Sequence, residues 1–110
     1  MNYPDFIQAA PALDLPFDDS IVRSSAIRSE AGLVVFFDFV QDVELPPHSH
    51  LGQWGVVIEG ELELTISGET RIYKPGDSYN IPSGAEHSAK VHAGSKVMDV
   101  FEEPNRYPLR

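Results

Sequence analysis

The sequence predicts an all-β domain, an antiparallel sandwich or barrel built from short strands. Two observations carry this. Runs of β-branched and aromatic residues recur with turn signals between them, and one run alternates cleanly between apolar and polar positions. Nine prolines and eight glycines, scattered through 110 residues, also punctuate the chain too often for long helices. A chain of this length has room for one core only.

Residues 1–19 are read as an extended N-terminal arm, with residues 20–110 as the β domain. Pro4, Pro11 and Pro16 fix an extended path, with room for one helical turn at Asp5–Ala10. Phe6, Ile7, Leu13, Leu15 and Phe17 of the arm need a surface to cover, either the domain's own flank or a second copy. Residues 21–29 and 33–40 form the first strand pair around Glu30-Ala31-Gly32. In 61–67, Leu62, Leu64 and Ile66 face one way, and Glu61, Glu63, Thr65 and Ser67 the other. Ser67-Gly68-Glu69 turns the chain into 70–73, and Pro75-Gly76-Asp77 leads to 79–81. After Pro82-Ser83-Gly84, two last strands near 87–93 and 96–102 meet at Ala93-Gly94. Tyr79 and Phe39 are assigned to the core, and Glu59, Glu61, Glu63 and Glu69 to a solvated face.

Charge and composition narrow the function classes. Seventeen acidic against eight basic residues give a formal charge of -9, which argues against nucleic acid or an anionic membrane as a partner. With no cysteine, disulfides, thiolate metal sites and cysteine nucleophiles are excluded. No apolar run has the length of a membrane span, and no basic stretch followed by an apolar one marks a secretory signal. The expected setting is the cytoplasm.

Three of the four histidines carry the chemistry. His48 and His50 are two apart, so on one strand both would project from the same face. His87 follows a Pro-x-Gly turn on another strand, and Gln53 sits beyond a Gly52 that permits a bend. Three neutral imidazoles in an interior without partners are costly, and a shared cation removes that cost. His92 has the opposite parity to His87 and is read as an exposed histidine. Asp99 shares a face with Val97 and Phe101, while Met98 and Val100 take the other. It is therefore buried or lines a cavity, where a raised pKa would suit general acid/base work. An Asp hydrogen-bonded to backbone or to an arginine is the structural alternative. Trp54 could wall the pocket, or belong to the core or an interface.

Pro47-His48-Ser49-His50-Leu51-Gly52-Gln53, with Gly60 after six more residues, resembles the first cupin motif. Gly76, then Pro82-Ser83-Gly84, then His87 resembles the second. The resemblance implies a small single-domain cupin, an antiparallel jelly-roll β-barrel. Cupins usually carry glutamate where Gln53 stands, and often asparagine where Val91 stands. Three imidazoles and an amide would leave a divalent ion its full +2 charge, a strong Lewis acid that favours an anionic ligand. Zn, Ni, Fe, Co, Cu and Mn all suit such donors.

Asp99-Val100-Phe101 with a later arginine is also similar to a branch of pectin- and alginate-degradation cupins. These convert cyclic 4,5-unsaturated uronates to linear, ketonised sugars. The likeness implies His48, His50, Gln53 and His87 as metal ligands, and Asp99, Phe101 and, allowing one inserted residue, Arg106 as catalytic residues. A net charge of -9 repels an anionic substrate at long range, so the metal and Arg106 must outweigh it locally. A metal-dependent dioxygenase and a non-catalytic ligand-binding or sensor module are the alternatives. The expected partners are a small anionic molecule and a second copy in a homodimer.

Overall fold

The computed structural model describes residues 1–110. A single helical turn, α1 (Asp5–Gln8), precedes nine strands. These are β1 (Val22–Ser29), β2 (Gly32–Phe39), β3 (Val43–His48), β4 (Gln53–Glu59) and β5 (Leu62–Ile66), then β6 (Glu69–Tyr73), β7 (Ser78–Ile81), β8 (His87–Val91) and β9 (Ser95–Phe101). They form two antiparallel sheets, ordered β1-β2-β9-β4-β7 and β3-β8-β5-β6. The two sheets pack as a jelly roll, and no ladder of hydrogen bonds joins them into a closed barrel. No helix is long and apolar enough to cross a membrane.

Alternation builds the sandwich. On β2, Leu33, Val35, Phe37 and Phe39 are buried, and the residues between them are only partly so. Val97, Asp99 and Phe101 of β9 point inward in the same way. From the facing sheet, Val43, Leu62, Leu64, Tyr73, Ala89 and Val91 complete one continuous core. Each buried aliphatic side chain of this kind contributes roughly 1.5–3 kcal/mol. The β5–β6 hairpin closes through Ser67 and Gly68, both at positive φ (49° and 84°), the backbone a tight type I′ turn requires.

The arm covers its own sheet. Leu13 is fully buried and bridges Leu109, its amide donates to Ser24 Oγ, and the Ala26 amide donates to the Pro11 carbonyl. The Tyr3 hydroxyl donates to the Phe37 carbonyl at 2.8 Å, and Leu15 and Phe17 pack against the core. Phe6 remains exposed. The outer face of the larger sheet carries Ile27, Val34, Val100 and Trp54 in one cross-strand row.

Two expectations change at this level. His48 ends β3, and His50 lies in the loop beyond it, so the pair does not share a strand. Pro46 and Pro47 account for the difference: neither has an N–H to donate, and the β3–β8 ladder slips between Leu45 and His48. Trp54 has outward parity on β4 and is 41% exposed, so it does not wall the cavity.

Candidate metal centre

His48 and His87 stand directly opposite each other on β3 and β8. His50 is brought to them by the loop that crosses to the other sheet. That loop is pinned twice: the Gly84 amide, from the Pro-x-Gly turn, donates to the His50 carbonyl at 2.8 Å, and the Leu51 amide donates to Glu103 at 2.8 Å. Ring centroids are 4.2 Å apart for His48–His87, 4.7 Å for His50–His87 and 5.4 Å for His48–His50. One nitrogen from each ring lies within 4.8 Å of the other two.

The ring tautomers follow from the backbone. The Nδ1 atoms of His48, His50 and His87 lie 2.8, 2.6 and 3.0 Å from the carbonyls of Pro46, Leu51 and Ala85. A carbonyl only accepts, so each Nδ1 carries the hydrogen and each Nε2 is left as a lone-pair donor. Nε2 of His50 and of His87 is buried and has no hydrogen-bond partner. Burial, first of all, holds the imidazoles of His50 and His87 below the usual histidine range, and the positive charge of Arg106 adds to it. Two buried, unpartnered Nε2 atoms, of His50 and His87, gathered with the His48 ring fit a divalent transition metal.

The opposite wall belongs to the larger sheet. Gln53, Tyr79, Asp99 and Phe101 line the same cavity as the three histidines. Asp99 is 5% exposed and accepts a 2.5 Å hydrogen bond from the Tyr79 hydroxyl. Burial raises its pKa to about 6, against the pull of hydrogen bonds from Tyr79 and from the Gln53 amide. Desolvation outweighs two donors here because little water reaches the carboxylate. Burial, with Asp99 beside it, pushes the Tyr79 phenol well above its ordinary value, so Tyr79 keeps its proton. Gly55 makes this contact possible, since a Cβ there would overlap both Asp99 Oδ1 and the Tyr79 hydroxyl. The Phe101 ring packs edge-on to His50 at 5.8 Å.

The structure thus brings His48, His50, Gln53, His87, Asp99 and Phe101 around one cavity. Arg106 is not among the lining residues, but its charge acts on His50 and His87, its guanidinium lies 4.5 Å above the Tyr107 ring, and its Nε is buried without a partner. His92 is exposed, 3.5 Å from Glu61. Sequence reasoning placed Tyr79 in the core and passed over its hydroxyl. The signal was available, because a buried phenol requires a hydrogen-bond partner. Tyr107, and Leu15, Pro16 and Phe17 of the arm, also line the cavity without having been foreseen.

Comparison with known proteins agrees with this geometry. The chain is 31% identical over 86 residues to the pectin degradation protein KdgF of Dickeya dadantii, covering 76% of this chain and 78% of that one. The solved structure of KdgF from a Halomonas species superposes with a TM-score of 0.72 at 26% identity, over 86% of each chain. An RmlC-like cupin from Shewanella frigidimarina superposes with a TM-score of 0.75 at 23% identity, over 90% of this chain and 87% of that one. The cupin domain family matches residues 35–102, a span that holds all three histidines, Gln53, Asp99 and Phe101. On fold, motif spacing and this match alike, the chain belongs to the cupin family.

Proposed function

We propose that this chain is a metal-dependent enzyme that converts a cyclic 4,5-unsaturated uronate to its linear, ketonised form. The observation that carries the reading is the convergence of three tautomer-fixed imidazoles across a cavity from a buried carboxyl. Similarity to KdgF, a pectin degradation protein, supports a substrate derived from pectin. His48, His50 and His87 would hold the ion through Nε2, and Gln53 through its amide oxygen. When bound, a divalent cation polarises a substrate oxygen as a Lewis acid.

The remaining work falls to the chain's own groups. Asp99 would carry the proton. Each carboxylate oxygen can accept more than one hydrogen bond, so contacts to Tyr79 and Gln53 leave sites for a substrate proton. Arg106, with a buried and unpartnered Nε, would hold the substrate carboxylate. Phe101 and Tyr107, packed at right angles 5.8 Å apart, would shape the wall and exclude water. The test is direct: metal-loaded protein should accelerate ring opening of unsaturated galacturonate, followed by NMR. No acceleration with unsaturated uronates from either pectin or alginate overturns the reading.

A further inference from the structure

An amide ligand poses a problem that an imidazole or a carboxylate does not. Only the carbonyl end of Gln53 has a lone pair to give, and the NH2 end, nearly the same shape, gives none. The three histidines resolve their own ambiguity through backbone carbonyls one or two residues away. Gln53 has no such local device. What stands beside it is Asp99, on the neighbouring strand: Gln53 is in register with Phe101 and Gly55 with Asp99, so the two side chains are diagonal neighbours on one inner face. Asp99 in turn is gripped at 2.5 Å by the Tyr79 hydroxyl, whose strand pairs with the other edge of β4.

We infer that Tyr79 is a positioning residue: by donating to Asp99 it holds that carboxylate as an acceptor for the Gln53 NH2, leaving the Gln53 carbonyl oxygen as the end free to ligate. This rests on the metal-binding reading above. The chain of causes is steric as well as electronic. A side chain at position 55 would overlap the Asp99–Tyr79 contact, so this glycine belongs to the same device. Without the Tyr79 hydroxyl the carboxylate is free to rotate, and the amide loses the fixed acceptor that tells its two ends apart. The amide can then present either end to the histidines.

The experiment is a double-mutant cycle read by Co2+ binding, with affinity taken from chelator competition and the visible d–d spectrum as a second signal. Tyr79→Phe removes one oxygen and should weaken Co2+ binding about tenfold, the lower end for partners of metal ligands, and alter the spectrum. Gln53→Ala removes the amide. In that background Tyr79→Phe should change affinity less than twofold, because nothing is left to orient. An equal loss in both backgrounds would mean that the hydroxyl merely supports the fold, and no loss in either would overturn the inference outright. Should Tyr79→Phe fold poorly, the isosteric Asp99→Asn run through the same cycle must show the same dependence on Gln53. Wild-type protein that takes up no Co2+ overturns the metal-binding reading and this one with it; uptake with no coupling overturns this one alone.

Discussion

The two walls of the cavity are built on different principles. On the histidine wall the ring orientations are locally determined: His48 and His87 come from β3 and β8 of the smaller sheet, His50 from the loop that leaves it, and each ring is fixed by a nearby carbonyl of its own segment. The wall facing it is determined at long range. Gln53, Tyr79 and Asp99 come from β4, β7 and β9 and orient one another across strands, over separations of 20 residues or more. A locally fixed wall should survive perturbation of the sheet around it. A wall whose members fix one another should fail as a unit.

The largest effect is expected on the mutual wall. Asp99→Asn keeps the shape and removes the group proposed to carry the proton, so turnover of an unsaturated uronate at saturating metal should fall about 10²–10⁴-fold. Retained turnover, in a steady-state assay with the metal held in excess, would remove Asp99 from the chemistry and leave it only the role of positioning Gln53.

On the local wall, His87→Ala takes away a ligand rather than a supporter. Metal affinity should fall by more than about a hundredfold, beyond the range for losing a partner of a ligand. Chelator competition measures it. The two variants sharpen the contrast: His87→Ala should lose the ion, whereas Asp99→Asn at high metal should keep the ion and lose the reaction.

The same contrast explains what could be read from the sequence. A strand period of two and a Pro-x-Gly turn are local, so His48, His87, most of the strands and the β5–β6 hairpin were legible residue by residue. The parity of β9 grouped Asp99 with Val97 and Phe101 as buried or lining a cavity, and all three are buried. Tyr79 was legible only as a core residue, because its partner lies 20 positions away on a strand whose neighbour depends on the whole topology. His50 was misplaced for a local reason, the two prolines that interrupt β3 pairing. The arm's contact with β1 and the C-terminal segment could not be read either, since apolar residues do not specify which surface they cover.

A smaller effect tests the close approach inside the mutual wall. Gly55→Ala places a methyl where Asp99 Oδ1 and the Tyr79 hydroxyl already sit. Overpacking of this kind costs about 1–3 kcal/mol, which thermal or denaturant unfolding would resolve. Metal affinity should fall alongside it, because the methyl separates the two groups that hold the amide. Unchanged stability would show that the strand yields without cost, and that the wall is less rigid than its short hydrogen bond implies.

The smallest effect belongs to the histidine outside both walls. His92 follows the end of β8, five residues from His87, but its ring is exposed and its nearest charged neighbour is Glu61 at 3.5 Å. Exposed pairs of this kind contribute little, so His92→Ala should leave stability within about 0.5 kcal/mol of wild type and metal stoichiometry unchanged. Elemental analysis of the purified variant measures the latter. The comparison with His87→Ala separates composition from placement: the same residue type, a few positions apart on one segment, should matter by more than two orders of magnitude in one case and not at all in the other. A loss of metal in His92→Ala would mean that the ion is not confined to the inner face, and that the local wall is drawn too narrowly.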